Sequence, residues 1–175
     1  MTAYDFELLF ALPRATDEPE QYTEALGDAG CKDALPGIGR RGWIGMMFTR
    51  QAASADEAML SAIKDVLGAI PGARLVEAAP DLVGLSDIAE LLGVSRQNVR
   101  KLVVDSPAAE PAPVHQGNPS LWHLDDLLRW LRAEKRYRVD DRLLAVAEIT
   151  RQVNLAVDSV AADREAQKRI LALLR

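Results

Sequence analysis

The sequence predicts an α+β protein in which a small sheet domain precedes a helical unit and a long C-terminal helix. Three observations predict this fold class. Residues 1–80 alternate between apolar segments bounded by Pro or Gly and segments with helical periodicity. Residues 85–102 contain two short amphipathic segments that meet at Gly93, and residues 139–175 carry an apolar stripe at helical spacing. We therefore expect three regions, residues 1–80, 81–138 and 139–175.

The first region has the element order strand, helix, strand, strand, helix, strand. Its strands are apolar runs rich in β-formers, and its helices have apolar residues at intervals of three and four. This order is that of the ferredoxin-like βαββαβ fold, which places both helices on one face of an antiparallel sheet. The predicted strands are 4–12, 33–39, 43–50 and 73–79, and the predicted helices are 17–29 and a segment capped by Ser54 and ended by Gly68 and Pro71.

No set of residues in this first region predicts catalysis. It contains no histidine and no glycine-rich loop followed by Lys-Ser or Lys-Thr. Arg40 and Arg41 follow glycines but precede a strand, so we expect solvated turn residues rather than anion ligands. Cys31, the single cysteine, is expected to be a small buried side chain; it predicts neither an intramolecular disulfide nor a metal cluster. We expect a domain that binds a small ligand or a protein partner, no cofactor, and no enzymatic activity.

Residues 85–102, LSDIAELLGVSRQNVRKL, have the pattern of a helix-turn-helix. Gly93 falls at the turn, and Ala89 falls where the two helices touch. Ser86 and Ser95 each precede a helical run and are predicted to cap it. The positions expected to be buried are Ile88, Leu92, Val94, Val99 and Leu102.

The outer side of the second helix, predicted over 95–103, suits the major groove of DNA. Arg pairs bidentately with guanine, and Gln or Asn does so with adenine, while Lys and Arg also hold phosphates. An ordinary helical hairpin with a solvated polar face is the alternative. The candidate DNA-facing residues are Ser95, Arg96, Gln97, Asn98, Arg100 and Lys101.

Prolines after residue 106 exclude a continuous helix, and residues 113–123 predict a short hairpin around Gly117. In this position a hairpin would form a wing, and His115, Gln116 and Asn118 would contact phosphates or the minor groove. A packing loop with a solvated polar tip is equally consistent with the sequence. His115 and the more distant His123 lack the Cys or carboxylate spacing of a metal site.

A helix is predicted over 124–136. Basic residues cluster at its end, and we favour a solvated face for them over contact with flanking phosphates: Arg129, Arg132, Lys135, Arg136 and Arg138. A second helix is predicted to begin at Asp140 and could run to Arg175, although its apolar stripe weakens after Ala162 and returns at Ile170. Its single apolar stripe needs a partner, which could be its own N-terminal domain or the same helix of a second subunit. We favour a homodimer through this helix, because helix-turn-helix proteins bind paired half-sites.

Composition narrows the classes of protein that remain. The formal charge of −5 argues against a polycationic nucleic-acid coat protein, and all of the acidic excess lies in residues 1–80. The longest apolar runs fall well short of the ~20 residues of a membrane span. The N-terminus lacks the basic region of a signal peptide, so we expect a cytoplasmic protein without a membrane partner.

Residues 85 to about 132 resemble the winged helix-turn-helix of the bacterial MerR, excisionase and AlpA-like group. The resemblance rests on LSDIAELLGVSRQNVRKL followed by PVHQGNPSLWHLDDLLRWL. It implies that the second helix enters the major groove and that the wing contacts the DNA backbone. The chain departs from MerR regulators in that the motif is not at its start, and in lacking their cysteine metal-sensing loop. The resemblance therefore implies a DNA-binding regulator but not a metal-responsive one.

The sequence leaves three functional hypotheses. The first is a sequence-specific, homodimeric regulator that binds double-stranded DNA. The second is a protein-interaction adaptor, antitoxin-like, whose acidic N-terminal domain binds a protein partner. The third and weakest is an enzyme built on the first region, because Asp5, Glu7 and Arg50 are scattered strand residues without a recognisable nucleophile or acid–base pair.

Overall fold

The computed structural model describes residues 1–105 and 111–174. In this part of the chain the fold is α+β, with a four-stranded antiparallel sheet, a two-stranded sheet and seven α-helices. The strands are β1 (Thr2–Ala11), β2 (Ala34–Gly37), β3 (Trp43–Ala52), β4 (Arg74–Ala79), β5 (Leu82–Val83) and β6 (Trp122–His123). The helices are α1 (Thr23–Asp28), α2 (Ala55–Ala69), α3 (Leu85–Leu92), α4 (Arg96–Val103), α5 (Leu124–Glu134), α6 (Asp141–Ala161) and α7 (Arg164–Leu173).

The larger sheet has the strand order β2-β3-β1-β4, with every neighbouring pair antiparallel. Successive side chains of a strand point to opposite faces, so the even-numbered residues of β1 share one face. Phe6, Leu8 and Phe10 lie on that face and are at most 3% exposed. The ring of Phe6 stacks on that of its cross-strand partner Phe48, with centroids 5.2 Å apart. This face forms the first of two hydrophobic cores.

Helix α2 covers this face of the sheet. Ala58, Met59, Ala62 and Val66 recur at intervals of one, three and four residues and are fully buried, which is the pattern of a helix packed along one side. The Ser54 hydroxyl accepts a hydrogen bond from the Glu57 amide at 3.1 Å and caps the helix as predicted. Gly68 was wrongly predicted to end the helix, which continues to Ala69.

The predicted helix over 17–29 is shorter than expected. A 3₁₀ turn occupies Pro19–Tyr22, and the α-helix begins only at Thr23. The first residues are held instead by Asp17, whose carboxylate accepts hydrogen bonds from the Arg14 guanidinium and the Tyr22 hydroxyl, both at 2.8 Å. Burial would raise the pKa of Asp17, but these hydrogen bonds outweigh it and lower the pKa below its ordinary value.

The helices α3 and α4 contact each other across a tight turn at Gly93. This glycine has a φ of +65°, in the left-handed region, and the Val94 amide donates to the Ala89 carbonyl at 2.9 Å. Ile88 and Val99 are buried between the helices and Ala89 is 6% exposed, which confirms the predicted contact residues. The other predicted core residues, Leu92, Val94 and Leu102, are partly buried against the same second core.

One predicted helix cap is wrong and the other is confirmed. Helix α3 begins at Leu85, so Ser86 lies inside its first turn instead of preceding it. The Asp87 carboxylate accepts from the Gly84 amide at 2.8 Å and takes the capping role. Ser95 caps α4, since its hydroxyl accepts from the Asn98 amide at 3.2 Å.

The long C-terminal helix is interrupted, contrary to the prediction of one helix from Asp140 to Arg175. Helix α6 ends at Ala161, because Ala162 has extended dihedrals and Asp163 begins a new cap. The stripe of α6 contributes Val146 and Val153 to the first core and Ala147 to the second. Of the two partners left open by the sequence, α6 therefore packs on its own chain.

Helix α6 also covers an edge of the larger sheet. Strand β4 pairs only with Glu7–Ala11, so the first half of β1 has no strand on that side. Helix α6 contacts both β4 and β1 there. An uncovered edge is a template for pairing with other chains, so the helix protects the sheet from edge-to-edge association. No helix in the described part of the chain is long and apolar enough to span a membrane.

Candidate nucleic-acid interface

All six candidate residues of the second helix are exposed. Val99 and Val103, on the opposite side of α4, are 1% and 0% exposed, so the helix has one buried and one open side. The open side bears three cationic and two amide side chains as well as the capping hydroxyl. These exposed candidates are Ser95, Arg96, Gln97, Asn98, Arg100 and Lys101.

The positions on α4 rank these side chains by how directly they face outward. Successive residues of an α-helix are about 100° apart, which puts Gln97 and Lys101 opposite the buried valines and Asn98 about 60° from that direction. Arg100 lies on one flank of the open side, and Arg96 lies nearer to the buried side, although both are exposed. The middle of the exposed surface therefore combines two amides and an ammonium, with the Arg100 guanidinium on its flank, and these groups suit base edges and phosphates.

Two further residues at the end of α4 modify this surface. Val104 is 41% exposed and lies one turn after Arg100, so an apolar group stands on the open side. Sequence reasoning missed it, because valine at a helix end reads as a core residue. Asp105 Oδ1 lies 3.9 Å from Arg100 Nε, and both side chains are more than half exposed. Arg100 thus has a weak carboxylate neighbour that a phosphate or a base must displace.

The predicted hairpin over 113–123 is present in reduced form. His115 and Leu121 form an isolated antiparallel bridge, with the Leu121 amide donating to the His115 carbonyl at 3.0 Å. The next residues, Trp122 and His123, pair with β5 and make the two-stranded sheet. The Ser120 hydroxyl donates to the Gly117 carbonyl at 3.1 Å and closes the tip.

The candidate residues of the hairpin, His115, Gln116 and Asn118, are all exposed at or near this tip. A side chain at Gly117 would meet the exposed His115 imidazole, which would have to turn away. The hairpin is anchored by Trp122, which is 4% exposed and donates from Nε1 to the Pro111 carbonyl at 3.0 Å. Trp122 shares the second core with Val99 and Val103, which fixes the hairpin and α4 on one rigid unit.

The arginines of the basic cluster at the end of α5 are exposed as expected, and two of them form ion pairs at the surface. Arg129 pairs with Glu148 at 2.9 Å, and Arg132 pairs with Asp141 at 2.6 Å. Both carboxylates belong to α6, so these arginines join the two helices. Their pairing favours a structural role over phosphate binding.

His123 belongs to a cluster of hydrogen-bonded side chains, here called the polar joint, that also contains Asp81 and Asn154. It is not part of a metal site. Its Nδ1 lies 2.7 Å from Asp81 Oδ1, and the other oxygen of Asp81 accepts from the Asn154 amide at 2.8 Å. Asn154 also bonds both backbone groups of Ala78, and the Thr150 hydroxyl donates to the Pro80 carbonyl at 2.7 Å. Helix α6 thereby holds the segment between the sheet and α3. Across residues 1–105 and 111–174 there is no group of three or more His, Cys, Asp or Glu residues arranged for a metal ion.

Arg50 is not a scattered residue, because its guanidinium is buried among carboxylates. It donates to both oxygens of Asp33, at 2.8 and 3.0 Å, and to Asp65 at 2.7 Å. Desolvation would lower the pKa of Arg50, but its carboxylate partners raise it above the ordinary value. Cys31 is buried beside this group as predicted, and burial raises the pKa of its thiol, which disfavours thiolate chemistry.

The face of the larger sheet opposite α2 is open. It bears a groove of about 850 Å³, here called the sheet groove, which extends to α3 and to the start of α6. Leu35, Met47 and Leu91 line it and are 68%, 46% and 37% exposed. Asp5 and Glu7 of β1 add carboxylates to the same surface. The sheet groove is thus an exposed surface of the first region that combines apolar and acidic side chains.

Comparison of the chain with protein families, with curated proteins and with solved structures gave no significant match. The interface is therefore judged on its geometry.

Proposed function

We propose that this protein is a sequence-specific regulator of transcription that binds double-stranded DNA through α4. The main supporting observation is the open side of α4, where Gln97 and Lys101 project opposite buried Val99 and Val103 and Arg100 is exposed on the flank. In this reading Arg96, Gln97 and Arg100 contact bases, while Lys101 and the hairpin hold phosphates. Val104 is placed to contact a thymine methyl group.

A finer description of the fold belongs to the same proposal. The strand order β2-β3-β1-β4 with α1 and α2 between strands supports a ferredoxin-like first domain. The α3–α4 pair followed by the bridge between His115 and Leu121 supports a winged helix-turn-helix. We further propose that the protein is a cytoplasmic, non-enzymatic homodimer, since helix-turn-helix proteins usually bind paired half-sites on DNA.

The test is selection of binding sequences from a random duplex library, followed by titration of the enriched site. We expect Arg96→Ala and Arg100→Ala each to cost about 1–3 kcal/mol on that site, and Lys101→Ala to reduce the salt dependence by about one phosphate contact. Arg74→Ala is the matched control, because it removes the same charge from the exposed start of β4. Failure to enrich any sequence, or an Arg96→Ala/Arg100→Ala protein with unchanged affinity, would contradict the proposal.

A second candidate function is a protein-interaction adaptor, antitoxin-like, that uses the first domain. The sheet groove with its exposed Leu35 and Met47 favours it, together with the acidic excess of residues 1–80. Purification from native cells separates the two functions. A stoichiometric partner that is lost in the Met47→Glu variant, with no DNA bound, would support the adaptor instead of the regulator.

A further inference from the structure

Helix α7 is an amphipathic helix whose apolar side has no cover on its own chain. None of its residues is buried, and Ile170, Leu173 and Leu174 are 56%, 86% and 76% exposed. With Ala166 they recur at intervals of four, three and one residues, which places them on one side of the helix. Arg169 flanks this side, about 40° from Leu173. A cationic residue therefore borders the exposed apolar stripe.

The sheet groove has the complementary character. Its exposed Leu35, Met47 and Leu91 form an apolar floor, and Asp5 and Glu7 lie on the neighbouring strand. The other two carboxylates of the groove already have cationic partners, since Asp33 pairs with Arg50 and Asp140 with Arg142. Asp5 accepts a hydrogen bond from Thr49 and also interacts electrostatically with Arg142. Lys32 also lines the groove, so the groove joins an apolar floor to a mixed charged rim, in which the Glu7 carboxylate suits a cation at the border of an amphipathic helix.

A helix that folded back within the same chain would not fill this groove. Leu143, at one side of the groove, lies 18 residues before the end of α6, which is about 27 Å along the helix axis. The ten residues of α7 extend only about 15 Å. Even turned back along α6, α7 would end about 12 Å short of Leu143, level with the Thr150 that contacts Pro80, and so would reach only that side of the groove. A second copy of the chain has no such restriction.

We propose that α7 of one subunit occupies the sheet groove of a second subunit, and that the exchange is reciprocal. Ile170, Leu173 and Leu174 then cover the apolar floor, and Arg169 lies against the carboxylates of Asp5 and Glu7. A reciprocal exchange closes as a twofold dimer with two identical contacts. The inference deepens the homodimer of the proposed function by replacing a helix-to-helix contact with a helix-to-groove contact.

Sedimentation velocity of the full chain over a concentration series, without DNA, tests this dimer. We expect Met47→Glu in the groove and Ile170→Glu in α7 each to raise the dimer dissociation constant about tenfold or more. Leu60→Glu on α2 is the matched control, since Leu60 is 57% exposed outside the groove and its change should leave the constant unaltered. Leu35→Glu replaces Met47→Glu if circular dichroism shows that the latter has not folded.

Mixing the two variants separates this dimer from one made by α7 alone. The Met47→Glu chain keeps its helix and the Ile170→Glu chain keeps its groove, so the mixture should form a heterodimer with one intact contact. Glu7→Lys and Arg169→Glu should each weaken the dimer, and the chain that carries both should regain it. A monomeric unaltered chain, or a dimer indifferent to groove variants, would overturn the inference. Because DNA is absent, neither result decides whether the protein binds DNA.

Discussion

At the scale of single residues, the ion pairs of Arg50 could not be predicted from the sequence, because its partners lie on other elements. Arg50 lies on β3, while its partners Asp33 and Asp65 lie before β2 and on α2. Their sequence separations of 17 and 15 residues give no periodic signal. The buried guanidinium therefore links β3, the turn before β2 and α2 through ion pairs. The structure identifies this cluster of one arginine and two carboxylates. The sequence near Arg50 shows only that an arginine lies in a strand.

Arg50→Met should destabilise the protein by about 2 kcal/mol, because it leaves Asp33 and Asp65 in partly buried positions without their cation. The two carboxylates keep some contact with water, which holds the loss below that of a fully buried pair. The measurement is the free energy of unfolding in urea at pH 7. Arg41→Met is the control, since the exposed pair of Arg41 with Glu18 should contribute about 1 kcal/mol or less. Equal losses in both variants would refute the distinction.

Asp140 gives a prediction about pH. Hydrogen bonds and charge from Arg142 lower the pKa of Asp140 to about 2, against an ordinary value near 3.8. A carboxylate with a lowered folded pKa stabilises the fold above its unfolded pKa, and this stabilisation is lost as pH falls through the folded pKa. Asp140→Asn should therefore be less stable at pH 7, by about 1 kcal/mol or less for so exposed a pair.

The difference between the Asp140→Asn protein and the unaltered chain should shrink as the pH falls from about 4 toward 2. Parallel urea titrations of both proteins at several pH values measure it. Asp163→Asn, which changes another helix cap far from Arg142, controls for the general effect of removing a charge. A difference that stays constant across this pH range would contradict the assignment.

At the scale of elements, helix α6 is the part whose partner the sequence could not identify. Its apolar stripe at intervals of three and four residues is evident from residue 143 onward, and it correctly predicted a helix with one buried side. An apolar stripe predicts that one side of a helix is buried, but it does not identify the element that buries it. The structure places this stripe against β1, β4, α2 and α5, so the helix joins the sheet to the helical unit.

Asn154→Ala should cost about 2 kcal/mol, because Asn154 bonds both backbone groups of Ala78 and the buried Asp81 carboxylate. Removal leaves these groups without that partner at the joint between the sheet and α3. Gln152→Ala, at an exposed position on the same helix, should change stability by less than about 0.5 kcal/mol. Thermal and urea unfolding measure both variants. An Asn154→Ala protein as stable as its control would show that the joint is dispensable.

At the scale of the whole molecule, the two cores are expected to unfold together. Helix α6 supplies Val146 and Val153 to the first core and Ala147 to the second. The joint at Asp81 adds hydrogen bonds between the two parts. Losing α6 from either core would expose apolar surface in both, so partial unfolding is disfavoured.

The Trp43→Phe protein tests this cooperativity, since its remaining tryptophans, Trp122 and Trp130, report on the helical unit alone. Fluorescence and far-ultraviolet circular dichroism should give coincident urea transitions with one midpoint. The unaltered chain serves as the control for the effect of the substitution itself. Two separated transitions would show that the sheet and the helical unit are independently stable.

The sequence by itself determined the order and the approximate bounds of the four strands of the larger sheet, the turn at Gly93, the cap at Ser95 and the outward position of Arg96, Gln97, Asn98, Arg100 and Lys101. These depend on local backbone preference and on the periodicity of neighbouring residues, both of which are present in any short window of the chain. Only the tertiary structure decided what α6 covers, that the C-terminal helix breaks at Ala162, which carboxylates hold Arg50, and how His123 and Asn154 meet at Asp81. Those outcomes depend on contacts between residues up to 76 positions apart. Such contacts stabilise the protein only after folding has brought the residues together.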